Sequence, residues 1–332
     1  MNGPLDDAVT AFCERCGVRG PFEVEPVGGG RNSRVVRISN EEGRWILKRY
    51  YQRAPQAHDR LGAETAFLGY LRGRGIANVA EPLGIDRALQ AALYTCLPGE
   101  RPRDATDDFV AQAAQFVVAI NAGNTAAETG TLARAADACM QWDDHLALTR
   151  ARIAQLTGDD AGATIERQAH AFVAERIAPA WRELETTLAG HQAGQHRVAP
   201  ILSPSDFGLH NALAHNGRLS FVDFEYAGWD DPVKLACDFI CQPEIPVSLE
   251  QGRQFVGVLA RGLAPDSGLA GRVALLLPAH RLKWCCILLN EFRTEHRRRR
   301  IHAGLAQDGL LASQLDKASR YFERHFEHIE AF

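Results

Sequence analysis

The chain has 332 residues, 37 basic and 41 acidic side chains and a formal net charge of −4, with 46% hydrophobic and 23% charged residues. These values are ordinary for a folded enzyme of about two domains and exclude a disordered or collagen-like chain; nothing in the charge calls for nucleic acid. No apolar run approaches the roughly 18 residues of a membrane helix, and the start, MNGPLDDAVTAF, lacks a signal-peptide pattern, so no membrane partner and a cytoplasmic location are expected.

The predicted elements begin with a strand over 22–27, which stops at Gly28-Gly29-Gly30, and a returning strand at 34–38. The turn SNEEG and a third strand, 44–51, follow. Leu61, Phe67, Leu68 and Leu71 recur at helical spacing over 60–73, and Glu64 falls on that apolar face, an odd place for a solvated carboxylate. Two more strands are expected near 83–86 and 90–96. Beyond residue 105 the segments 107–121, 131–157, 161–190, 247–262, 270–302 and 308–329 read as helical, with short strands and turns at 198–224. The chain thus divides near Pro98-Gly99 into a sheet-rich lobe, 1–97, and a larger helical lobe, 98–332.

The eight cysteines are too sparse for a disulfide scaffold. Cys13 and Cys16 form one CxxC without a second pair, which fits two free thiols on a helix better than a zinc site. The basic residues are 33 Arg and 4 Lys, at 48, 234, 283 and 317, so a Lys at a telling position carries information.

The strongest chemical signal is SPSDFGLHNALAHNGRLSFVDFEYAGWDDP, residues 203–232. Asp206, Asn211 and Asp223 bring two carboxylates and an amide into one loop and hairpin. Such a set suits a hard cation on oxygen ligands with one carboxylate left for proton transfer, though Asp and Asn are also ordinary turn formers. Upstream, the tip GGGRNS, residues 28–33, offers backbone N–H groups to phosphates. It is no dinucleotide fingerprint, because Ser33 stands at the third glycine position, and the absence of any GK dipeptide excludes a P-loop. Lys48 in the following strand and Glu64 in the next helix form the pair that anchors nucleotide phosphates in kinases, or a structural ion pair between strand and helix.

With these residues in order, the chain resembles the aminoglycoside phosphotransferase and choline kinase family, over about residues 22–240. The resemblance implies an α+β, bilobal protein-kinase-like fold: a small antiparallel sheet with one helix, then a larger helical lobe. It implies a catalytic Asp206, metal ligands Asn211 and Asp223, and ATP with Mg²⁺ as cofactors. It also implies nucleotide contacts from Gly28, Gly29, Gly30, Asn32, Ser33, Lys48 and Glu64, and a hinge at Tyr94, Thr95, Cys96 and Leu97. DFEYAG, 223–228, looks most like choline and ethanolamine kinases. Two departures stand out. Pro204-Ser205 precede Asp206 where the family has a His, and DPVKLACD has Leu235 where an Asp is usual, with Asp238 nearby.

The expected activity is transfer of the ATP γ-phosphate to a hydroxyl of a sugar, polyol or amino-alcohol. Two alternatives are a kinase-fold nucleotide-binding or interaction protein without turnover, and an aminoglycoside resistance phosphotransferase. Residues 250–332 hold 13 basic and nine acidic side chains, a balance unfavourable to a polycationic antibiotic. Trp284, Asn290, Glu291 and Phe292 are candidates for an acceptor wall, and Tyr226, Trp229 and Trp284 for an aromatic cage around a choline-like cation.

Overall fold

The computed structural model describes residues 5–27, 33–51, 58–124, 129–130, 132–157, 164–189, 191, 199–263, 268–293, 309–327 and 332. The glycine tip, Gly28, Gly29, Gly30 and Asn32 included, lies outside them.

The N-terminal lobe builds a five-stranded antiparallel sheet in the order β1-β2-β3-β5-β4, from β1 (Glu23–Pro26), β2 (Ser33–Asn40), β3 (Gly43–Tyr50), β4 (Pro82–Asp86) and β5 (Ala91–Thr95). A helix covers each face. Helix α1 (Asp7–Arg15), capped by Asp6 on Val9 N, lays Val9, Phe12 and Cys13 against Val36, Ile38, Leu47 and Leu93. Helix α2 (Arg60–Gly73) packs Leu61, Phe67, Leu68 and Leu71 with Tyr50, Ala92 and Tyr94. The period-2 alternation of β3 separates these two cores. Leu47 faces α1, while Lys48 and Tyr50 point towards the α2 side, where Glu64 waits.

The expected CxxC helix is present: Cys13 closes the last turn of α1 and Cys16 is its C-cap. Both thiols are free, and burial pushes that of Cys13 up to about 11. They act as small apolar groups.

The second half is mainly helical: α3 (Asp107–Asn121), α4 (Trp142–Ala154), α5 (Thr164–Phe172), α6 (Ala178–Ala189), α7 (Pro232–Cys241), α8 (Leu249–Gly262), α9 (Leu269–Leu288) and α10 (Leu310–Phe322). Helix α9 runs through its centre, buried along most of its length, and packs against α4, α7 and α10. An aromatic ladder ties the loop region to the helices, with Phe116 on Phe221 at 4.3 Å and Phe239 on Phe255 at 3.9 Å between ring centroids.

Two sequence expectations change. The predicted helix 131–157 shrinks to α4, because the chain before it pairs with the site hairpin instead. Ala135 N donates to Trp229 O, Ala136 N to Tyr226 O, and Asp137 adopts φ +53°. The capping box of Gln141 and Asp144 then starts the helix. The predicted helix 270–302 ends at Leu288, followed by one 3-10 turn, Asn290–Phe292.

Three short strand pairs position the loops of the site. β6 (Ile201–Ser203) pairs with β9 (Gly228–Asp230), and β7 (Ala212–His215) with β8 (Arg218–Phe221). Gly228, at φ +158°, lies so close to Ala133 O that an added Cβ would sit 2.4 Å from it, so only glycine allows this approach. Among the described residues no helix is long and apolar enough to cross a membrane.

Candidate active site

Lys48 is the electrostatic centre of the site. Its Nζ lies 2.7 Å from Glu64 Oε2, 2.5 Å from Asp223 Oδ1 and 3.2 Å from Glu225 Oε2. β3, α2 and the segment after β8 each supply a part, so the cluster exists only when the two halves of the chain meet. Burial works to lower the Lys48 pKa, but Asp223, Glu64 and Glu225 outweigh it and hold the ammonium well above its usual range. Burial pushes the Asp223 carboxyl up to about 6 against the pull of Lys48.

Glu64 is fixed from several directions. It accepts from Tyr50 OH at 2.7 Å and from Phe224 N at 3.2 Å, and Tyr50 OH meets Tyr94 OH at 2.6 Å. The carboxylate that looked misplaced on the apolar face of α2 is thus 4% exposed and fully engaged. A lone buried carboxylate there would cost several kcal/mol.

Glu225, which no local motif singles out, is a further member of the cluster; its one sequence signal is a carboxylate two residues beyond Asp223 in an otherwise apolar string. It is 2% exposed. It accepts from Ser33 Oγ at 2.8 Å, and Arg60 Nε lies 3.6 Å away. Burial works to raise its pKa, but Lys48 and Arg60 hold it below the usual range. Ser33 therefore does reach the cluster, through Glu225.

Asp206 and Asn211 lie on the loop between β6 and β7. Asn211 Nδ2 donates to Asp206 O at 2.8 Å, which leaves the amide oxygen as the group presented outward. Val222 N donates to Asn211 O at 3.0 Å, and this bond brings Asn211 beside Asp223. Asp223 itself has φ +68°, a left-handed conformation that costs about 1 kcal/mol or more and is held only by the surrounding packing. Oxygens from Asn211 and Asp223 form the kind of hard donor set that magnesium accepts, usually alongside substrate phosphates. Glu64, Asp223 and Glu225 also approach one another within 4.8 Å, but Lys48 already occupies their centre.

The residues before Asp206 replace the expected His with a different support. Ser205 takes φ +62°, and its N–H is held by Ser203 Oγ at 3.0 Å. His210, four residues later, brings Nε2 to 3.5 Å from Asp206 Oδ1. An imidazole thus still stands beside the carboxylate, supplied from the other side of the loop.

A cavity of about 520 Å³ opens beside these groups. Asp206, Asn211 and Asp223 are on its wall, together with Lys234, Asp238, Lys283 and Trp284 from α7 and α9. Of the candidate acceptor residues, Trp284, Asn290 and Glu291 line it, whereas Phe292 packs on the core. Of the candidate aromatic cage, Tyr226 and Trp284 line it but Trp229 does not, because β9 turns that side chain onto the core. Thr95, Cys96 and Leu97 are not on its wall either. Thr95 ends β5, its Oγ1 accepting from Glu81 N at 2.9 Å, and Cys96 and Leu97 follow it out of the sheet.

Residues 23–275 match the model of the phosphotransferase enzyme family. No curated protein matches the chain in sequence. The fold is similar to that of spectinomycin phosphotransferase in complex with ADP and spectinomycin, at TM-score 0.63 and 12% identity, over 98% of this chain and 95% of that one. It is similar to a choline/ethanolamine kinase family protein from Mesorhizobium loti, at TM-score 0.53 and 17% identity, over 91% of both chains. An amicoumacin kinase bound to AMP-PNP and Ca²⁺ matches at TM-score 0.59 and 14% identity, over 97% of this chain and 94% of that one. With the family model covering most of its length and the bilobal kinase-like fold in place around Lys48 and Asp206, this chain belongs to the phosphotransferase enzyme family.

Proposed function

We propose that the protein is an ATP-dependent small-molecule kinase that phosphorylates a hydroxyl group. The observation that carries this reading is the meeting of Lys48, Glu64 and Asp223 beside a cavity walled by Asp206 and Asn211. The ADP and AMP-PNP held by the similar structures support ATP as donor.

In this reading the acceptor hydroxyl oxygen attacks the γ-phosphorus, and the bond from γ-phosphorus to the β–γ bridging oxygen breaks, releasing ADP. Asp206 receives the hydroxyl proton and orients the attacking oxygen. Lys48, kept charged and aimed by Glu64, faces the nucleotide phosphates. Asn211 and Asp223 are the residues that would hold Mg²⁺, which supplies charge neutralisation to the phosphates. Little covalent chemistry falls to the protein, so placement and electrostatics provide most of the acceleration. The described residues that close on the phosphates include Ser33, next to the glycine tip. The backbone after β5, from Thr95 to Leu97, is the proposed adenine hinge. Residues 1–97 and 98–332 are the proposed nucleotide lobe and catalytic lobe.

The test is Mg²⁺-dependent ATP consumption with a panel of sugars, polyols, amino-alcohols and aminoglycosides, wild type beside Asp206→Asn. Turnover with one acceptor that falls about 10²–10⁴-fold in the variant, at unchanged ATP affinity, is expected. Full turnover in Asp206→Asn would refute the assignment. ATP binding without turnover on any acceptor would favour the reading as a nucleotide-binding protein.

A further inference from the structure

The proportion of lysine to arginine points to two groups on the cavity wall. Only 4 of the 37 basic residues are Lys. Lys48, Lys234 and Lys283 are buried, at 5%, 3% and 3% exposure, and Lys317 is exposed. Lys234 and Lys283 lie on the cavity wall. A chain that uses Arg nearly everywhere has placed two compact ammonium groups, costly to bury, in one pocket.

Their protein partners do not use up their hydrogen-bonding capacity. Lys234 Nζ donates to Asp230 Oδ2 at 2.9 Å and lies 3.5 Å from Asp238 Oδ2. Lys283 Nζ donates to Asp238 Oδ1, which also accepts from Trp284 Nε1 at 2.8 Å. Among the described residues, then, each ammonium makes one hydrogen bond, while each carries three N–H donors. Asp230 cannot take more on its other oxygen, which already accepts from Cys139 N at 2.8 Å and Asp231 N at 2.9 Å.

Three of the carboxylates on this wall, Asp238, Asp137 and Glu244, face cations of the protein. Both oxygens of Asp238 face cations, and although burial works against it, Lys283 and Lys234 hold its carboxyl well below the usual range. Asp137 is bound by Arg152, and Glu244 lies 3.6 Å from Arg101. A cationic group set against Asp238, Asp137 or Glu244 would have to displace an internal cation from its carboxylate. A ligand that brings oxygen acceptors would instead complete the two ammoniums, with charge-assisted bonds stronger than neutral ones.

We propose that Lys234 and Lys283 form the acceptor's anion subsite, so that the phosphorylated molecule carries a carboxylate or phosphate group in addition to its reacting hydroxyl. The oxyanion bridges the two ammoniums, which flank opposite oxygens of Asp238, and anchors the acceptor in the cavity that Asp206 also lines. This inference rests on the kinase reading for the reacting hydroxyl, but its test does not need turnover.

The experiment uses the full chain saturated with a non-hydrolysable ATP analogue and Mg²⁺, so that the nucleotide site is filled. Calorimetric titrations with inorganic phosphate, with gluconate and with kanamycin then compare wild type, Lys234→Gln and Lys283→Gln. Saturable binding of phosphate or gluconate to wild type is expected, with whichever binds naming the anion class. It should weaken at least tenfold in both variants while analogue affinity stays within twofold, which also shows that the variants are folded. No saturable oxyanion binding to wild type overturns the proposal, as does equal binding in folded variants, or tighter binding of kanamycin than of either anion. If a variant fails to fold, the wild-type comparison of anions with kanamycin still decides. Failure of the analogue to bind wild type would instead count against the kinase reading, which Lys48→Met tests separately.

Discussion

Replacing Lys48 by Met removes the single cation at the centre of Glu64, Asp223 and Glu225. At an effective dielectric constant of about 20, the 2.7 Å contact with Glu64 alone is a gross attraction of about 6 kcal/mol. Most of that offsets desolvation, so the loss of the pair is better taken from buried ion pairs broken on one side, about 3–5 kcal/mol. The three carboxylates, whose oxygens lie within 4.8 Å of one another, then repel with only Arg60, 3.6 Å from Glu225, as a counter-ion. Lys48→Met should therefore lower the midpoint of thermal unfolding by roughly 4–7 °C, about 1.4 °C per kcal/mol for a chain of this size, and abolish binding of an ATP analogue. Adding Glu64→Gln should recover at least about 1 kcal/mol, because the second change removes a charge that the first left uncompensated. Differential scanning calorimetry of the two single variants and the double variant makes the comparison. A Lys48→Met protein as stable as wild type, or strictly additive losses in the double variant, would refute the electrostatic account of this cluster.

Asn211→Ala should raise the Mg²⁺ concentration needed for half-maximal ATP turnover at least tenfold, read by metal titration; an unchanged requirement would remove Asn211 from the metal site. Gly228→Ala should fail to fold or lose several kcal/mol, since its Cβ would press on Ala133 O and Ala135 N, and chemical denaturation measures it. The pair of buried histidines predicts acid sensitivity. His280 on α9 meets His145 of α4 at 3.0 Å and lies 3.5 Å from Asp238 of α7, with Lys283 nearby on its own helix, while His145 reaches Asp231 at 3.2 Å. Burial pushes His280 down to about 3, so the unfolded chain binds this proton below about 6.5 while the folded one does not. The stability it contributes is complete above pH 6.5 and is lost as pH falls towards 3, at up to about 1.4 kcal/mol per pH unit. His280→Gln should flatten that part of the stability profile, measured by urea unfolding between pH 4 and 7; an unchanged slope would assign the acid sensitivity elsewhere.

The sequence by itself determined the local elements and the identities of the reactive groups. Alternation in β3 and helical spacing in α2 are local signals, and they placed Lys48 and Glu64 on elements that face each other. The spacing of Asp206, Asn211 and Asp223 marked the loop because oxygen donors and turns are encoded within a few residues. Only the tertiary structure decided what depends on contacts far apart in the chain. Glu225 joins the cluster at Lys48 and brings in Ser33, 192 positions away. His210 stands beside Asp206 on the side opposite the missing His. Residues 132–141 leave the helical pattern to hydrogen-bond the segment around β9. Lys234 and Lys283 meet at Asp238 across two helices, and no local pattern announces a charge that is buried only because α7 and α9 pack against each other. Periodicity records which face of an element is apolar; it does not record which distant polar group that face will meet.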